Sequence, residues 1–138
     1  MSEEVKYGKH YSEGGFWTKL KKNAIKAGQK VVYSGLVLYY ALESPNTSIK
    51  DKAIIYGGLG YLILPVDVIP DLIPVAGYGD DLGVLLLAAT RVALSIDSVV
   101  KQRAKDKLVD FFGEGAIKQN EIDEIDQQID VENSTPVK

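Results

Sequence analysis

The stretch from Tyr61 to Asp81 reads YLILPVDVIPDLIPVAGYGDD, with four aspartates and three prolines set into an otherwise apolar run. An ionised carboxylate moved into a low-dielectric site without partners is strongly destabilising, so Asp67, Asp71, Asp80 and Asp81 must each be solvated, capped, paired or metal-bound. Pro65 stops a helix arriving from the N-terminal side, because proline lacks the N–H that a helix interior requires. The segment from Pro65 to Gly79 is therefore a turn, with helices on either side.

Working outward, the preceding helix starts near Thr47 or Ser48, either of which can cap it, and Asp51 follows three or four residues later to accept from the first turn. It is expected to run to about Leu64. Gly57, Gly58 and Gly60 each cost about 1 kcal/mol relative to alanine inside a helix, which points to a second backbone passing close along the Ala53, Gly57 and Gly60 side. After the turn, Asp80 or Asp81 caps a helix beginning at Leu82 that is expected to continue to Phe112, with Gly113 as its C-terminal cap. Its first half, LGVLLLAATRVALSI, is nearly all apolar and belongs at the centre of the fold, whereas KQRAKDKLVDFF is amphipathic and basic.

Upstream, Phe16, Leu20, Ala24, Ala27, Val31, Gly35, Leu38 and Leu42 recur at steps of three and four, which predicts one long helix over 15–42. Lys19, Lys22, Lys26 and Lys30 fall on its opposite side. The second half, VVYSGLVLYYAL, is apolar nearly all round and must be buried in protein or lipid. Glu43-Ser44-Pro45-Asn46 ends it, since the residue before a proline leaves the helical region. The fold class is thus all-α: a small helical bundle built on a long N-terminal amphipathic helix and an antiparallel hairpin with a Pro/Asp-rich turn.

The chain has 138 residues, 46% of them apolar, enough for one core. Residues 1–14 read as a flexible polar lead, 15–113 as the helical domain with its hairpin core at 48–112, and 114–138 as an acidic tail, partly disordered. Within that tail Ile117, Ile122, Ile125 and Ile129 mark a short acidic amphipathic helix. The net charge of −3 hides a segregation: five lysines and no acid lie between Gly14 and Leu42, while seven acids oppose two lysines from Gly113 onward. Such a basic end seeks either the acidic end or an anionic partner. With no cysteine, disulfides and thiolate metal sites are excluded, and the single histidine, His10, leaves Ser-His triads and histidine acid–base chemistry only to a residue in the polar N-terminal lead.

A membrane-spanning helix needs about 20 mostly apolar residues. The run 53–64 is too short, and 82–96 is broken by Arg91, which costs at least ~2.5 kcal/mol near a bilayer centre. Two arrangements remain. The apolar helices pack on one another as a soluble bundle, or the basic first helix lies in the membrane interface while the hairpin inserts part-way.

In the turn itself, Tyr61, Pro65, Asp67, Ile69, Pro70, Asp71, Ile73, Pro74, Gly77, Asp80 and Asp81 stand in an order and spacing that resemble the YkvA-like domain of unknown function, a small helical bacterial domain. The resemblance covers about residues 48–100, and Gly79 departs from the bulky apolar residue expected before the paired aspartates. It implies a helical hairpin and membrane association, and brings no activity, ligand or catalytic residue.

Physically, the four aspartates serve either as Asx-turn acceptors and helix caps or as oxygen ligands for calcium or magnesium. Arg91 is expected level with Asp51 or Tyr56 across the hairpin, as an ion pair or as a phosphate ligand. No nucleophile with a base and no phosphate-cradling loop is apparent, so no enzyme, no required cofactor and no nucleic-acid binding is expected. The reading is a non-catalytic accessory or scaffold domain on the cytoplasmic side of a membrane, using Lys19, Lys22, Lys26 and Lys30 on anionic lipid. The alternative is a cytoplasmic soluble bundle whose turn binds a divalent cation, through Asp67, Asp71, Asp80 and Asp81, or a protein partner.

Overall fold

The segment QKVVYSGLVLYYALE has no polar face to offer water, so it can be stable only with other helices all around it. In a computed structural model of the chain, which describes residues 13–63 and 78–134, that segment is the central helix. Six α-helices make up the described part: α1 (Glu13–Ala27), α2 (Gln29–Glu43), α3 (Ile49–Ile63), α4 (Tyr78–Arg91), α5 (Ser98–Phe112) and α6 (Gln119–Ser134). No strand occurs among the described residues, and the protein is an all-α bundle. From Val31 to Tyr39 every residue of α2 is buried.

The long first helix expected over 15–42 is two helices. Gly28 has φ 90° and ψ 163°, a conformation that only glycine adopts without strain, and it reverses the chain in one residue. Its N–H still closes α1 on the Ala24 carbonyl (3.0 Å), and its carbonyl starts α2 by accepting from Val32 N (3.1 Å). Folding α1 back lays the Phe16 ring flat on Tyr39, 5.1 Å between centroids. It also brings Phe16 and Leu20 against Gly35, where an added Cβ would stand 3.6 and 3.8 Å from them. The Tyr39 hydroxyl bonds to Glu13 on α1 and to Glu43 (3.1 Å) on its own helix, which fastens the far end.

Ser48 caps α3, its hydroxyl accepting from Asp51 N at 3.1 Å, and Thr47 Oγ1 donates to the Ala41 carbonyl at 2.5 Å, which fixes the α2–α3 corner. The antiparallel register of α3 and α4 follows from two contacts, seven residues apart on each arm of the hairpin. Ser95 Oγ, just past α4, donates to Asp51 Oδ2 at 2.8 Å, and a Cβ on Gly58 would lie 3.1 Å from that of Ala88. The close approach expected from the glycines is seen at Gly58, which packs against Ala88.

The expected helix from Leu82 to Phe112 is also two helices. It is already helical at Tyr78, so Asp80 and Asp81 lie inside α4 and neither is its N-cap. It stops at Arg91, passes through a 3-10 turn (Ala93–Ser95), and restarts at Ser98 with Asp97 as N-cap, its Oδ1 accepting from Val100 N at 2.9 Å. Gly113 closes α5 with φ 85°. The acidic segment then forms α6, reaching Ser134, with Ile122, Ile125 and Ile129 fully buried in the same core as Leu36, Leu59, Leu85 and Leu108.

Candidate functional site

The face of α1 turned away from α2 is set by its buried residues. Phe16, Leu20 and Ala24 point inward, so Thr18, Lys21, Lys22 and Ile25 point out, and all four are exposed. Ile25 is 90% exposed, an aliphatic side chain standing in water beside two lysines. Ile49, Leu87, Leu94 and Val99 are also exposed, on α3, the C-terminal part of the hairpin and α5.

The lysine stripe drawn on a continuous helix does not survive the break at Gly28. Lys22 keeps the outward position expected of it and Lys21 joins it. Lys19 is only half-exposed, on the flank, and Lys26 belongs to the same helix. Lys30 is on α2 and is taken by α6, with Nζ 2.8 Å from Glu124 Oε2. Hydrogen bonding to that carboxylate holds the Lys30 ammonium above its ordinary pKa. Ile25 and Lys21 were missed because an apolar residue among lysines carries no signal until the inward face is known.

Opposite α1, the helix α6 is clamped at its start and paired along its length. Gln29 Nε2 donates to the Ala116 carbonyl and its Oε1 accepts from Lys118 N, both at 2.7 Å, as a peptide group in a ladder would. Tyr33 OH donates to Asp126 Oδ1 at 2.6 Å, and the other oxygen of Asp126 is 3.1 Å from Lys105 Nζ. Asp130 binds Lys101. Burial, then the bond to Asp126, pushes the Tyr33 hydroxyl well above its ordinary pKa. The Gln29 and Tyr33 partnerships join residues about ninety apart in the chain, beyond the reach of any local sequence pattern.

Of the turn residues singled out in the sequence, Tyr61 is buried on α3 and has a partner. Pro65, Asp67, Ile69, Pro70, Asp71, Ile73, Pro74 and Gly77 lie outside the described residues, and for Asp80 and Asp81 only the backbone, in α4, is described. The proposed cation set therefore falls outside the described part as a set, and among the described residues no group of three acids or histidines is placed to hold a metal ion. Arg91 is exposed at the end of α4, one turn from the Ser95–Asp51 contact, and has an interaction of its own. No helix among the described residues is long and apolar enough to cross a membrane.

With that geometry in place, comparison with known families is informative. Residues 51–87, which cover most of α3 and α4 and the connection between them, match the model of the family described as "Protein of unknown function (DUF1232)". The similarity is confined to those residues. The match falls on the stretch whose prolines and aspartates resemble the YkvA-like domain, and it assigns no activity. No curated protein and no solved structure matches the chain. The matched residues include Gly58 and most of α3 and α4 and stop one residue before Ala88, while α1, α2, α5 and α6 lie outside them.

Proposed function

We propose that this chain is a non-catalytic accessory domain that rests on an anionic membrane surface through the outer face of α1. The observation that carries the reading is Ile25, exposed between the solvent-facing Lys21 and Lys22 on a helix whose other side is locked into the core. A basic face with one aliphatic side chain suits the headgroup region, where cations meet lipid phosphates and the aliphatic group reaches the acyl boundary.

The apolar excess of the described helices has partners within the protein. The all-round apolar α2 is surrounded by protein, and Ile55, Leu59, Leu62, Leu85 and Ala89 of the hairpin are buried against it. What remains is a peripheral contact. Lysines contribute about 1 kcal/mol each near an anionic surface, and an isoleucine at most about 1.5–3 kcal/mol if fully buried. The sum corresponds to reversible attachment, in the range where about 4 kcal/mol means a millimolar dissociation constant, and it weakens as salt screens the lysines.

Flotation with phosphatidylserine-containing vesicles tests this. The protein is expected to float at low salt and to be released at high salt. Lys21→Glu with Lys22→Glu abolishes flotation, and Ile25→Ser weakens it about tenfold, for a loss near 1.4 kcal/mol. Leu94→Ser, at an equally exposed aliphatic position on the hairpin, leaves it unchanged. A protein that stays at the bottom of the gradient at every lipid composition and salt concentration refutes the reading.

A further inference from the structure

The membrane reading leaves open why attraction to an anionic surface should be confined to α1, since α2 and α5 carry lysines as well. Lys30 on α2 and Lys101 and Lys105 on α5 each point to α6 and meet a carboxylate there: Glu124 at 2.8 Å, Asp130, and Asp126 at 3.1 Å. The Lys101 and Lys105 side chains are 17% and 35% exposed and already held by α6 carboxylates, which a lipid phosphate would have to displace. That helix is not loosely held. Three fully buried isoleucines, the Gln29 clamp and the Tyr33–Asp126 bond fix it in place.

α6 also lies across the molecule from the docking face. On α2, Gln29, Lys30 and Tyr33 meet α6, whereas Gly35 and Tyr39 meet α1. At 3.6 residues per turn these two sets fall on opposite sides of the central helix. Lys21 and Lys22 therefore face outward on one side of the bundle, while acids of α6 cover Lys30, Lys101 and Lys105 on the opposite side.

We infer that α6 is an intramolecular counter-anion: by pairing Lys30, Lys101 and Lys105 it removes a second basic face and so gives the domain one orientation on an anionic membrane. This rests on the proposed docking of α1 and adds its regulation. Any process that withdrew the three acids would convert a one-faced, salt-sensitive binder into a two-faced, tighter one.

The test is a charge-matched comparison by flotation on phosphatidylserine vesicles over a range of salt. One variant carries Glu124→Gln, Asp126→Asn and Asp130→Asn, whose amide oxygens still accept hydrogen bonds. The control carries Asp106→Asn, Glu114→Gln and Asp123→Asn, three exposed acids that hold none of the three lysines. Both changes raise the net charge by the same amount. The α6 variant is expected to bind at least about tenfold tighter than the control, and to keep binding after Lys21→Glu and Lys22→Glu are added. Equal binding by the two variants overturns the inference while leaving α1 docking intact, whereas failure of the parent to float removes both. Should the α6 variant fail to fold, the lysine side decides: Lys30→Gln, Lys101→Gln and Lys105→Gln together leave parental binding unchanged if those lysines are masked, and weakened binding overturns the inference.

Discussion

Gly58 and Ala88 meet across the α3–α4 hairpin, with 3.1 Å between the methyl carbon of Ala88 and the place a Cβ on Gly58 would occupy. Two effects of adding a side chain there oppose each other. Alanine gains about 1 kcal/mol of helix propensity over glycine, while overpacking a close contact costs about 1–3 kcal/mol. Gly58→Ala is therefore expected to change stability by no more than about 2 kcal/mol, whereas Gly58→Val, with bulk that also meets Leu38, is expected to destabilise by more than alanine does. Urea unfolding of the two variants checks the order; a valine variant as stable as the parent contradicts the packing.

Gly28 provides a test with a sign. In a continuous helix, Gly28→Ala would stabilise by about 1 kcal/mol. At φ 90° and ψ 163° it is strained instead, by about 1–3 kcal/mol. A lower unfolding midpoint for Gly28→Ala is the expected result, and a higher one means that α1 and α2 form a single rod.

Gln29 is buried, and its amide satisfies one main-chain acceptor and one main-chain donor. Truncation to alanine leaves both main-chain groups without their partner, at about 1–3 kcal/mol each. Gln29→Glu keeps an acceptor for Lys118 N but turns a carboxylate oxygen toward the Ala116 carbonyl. Both variants are expected to be destabilised, and hydrogen exchange should show protection in α6 falling before that in α2.

Alkaline pH should unfold the protein through its tyrosines. Burial and the Asp126 bond raise the Tyr33 pKa, burial and the Glu13 bond raise that of Tyr39, and the Glu124 bond raises that of Lys30. The folded protein therefore holds these protons after the unfolded chain has begun to lose them, near pH 10 for tyrosine. Stability contributed by the protonated forms is complete below that pH and falls as pH rises above it, because the folded state then binds more protons than the unfolded one. Tyr33→Phe is expected to flatten this alkaline limb, measured as the urea midpoint between about pH 8 and 11. At neutral pH the same substitution costs about 1.5–3 kcal/mol for the bond to the charged Asp126.

Much of this architecture is legible in the residues. The apolar period of Phe16, Leu20 and Ala24 gives the inward face of α1, the all-round apolarity of 31–42 marks the central helix, and Ser48 and Gly113 mark helix ends. Each is a local signal, with cause and effect within one or two turns. The two breaks were misread for a physical reason. A lone glycine inside a periodic run costs so little that continuity and reversal are nearly equal in local energy, and Asp97 resembles any other surface acid until its side chain is seen to cap α5.

The family match likewise rests on local order and spacing, in the proline- and aspartate-bearing stretch. The candidate docking face was only half legible. Lysines cluster in the sequence, but which of them meet solvent depends on where α6 lands, and Lys30 is lost to Glu124 on a helix ninety residues away.

By itself, then, the sequence determined that this chain is all-α, where most of its helices lie, and which of them carries basic charge, because helix formation and amphipathic patterning are governed by neighbours within a few residues. Only the tertiary structure decided that α1 turns back at Gly28, that Gly58 packs on Ala88, and that Lys30, Lys101 and Lys105 are paired while Lys21 and Lys22 face outward. Those outcomes depend on burial and on charge pairing between segments far apart in the chain, whose energies exist only once the helices have met.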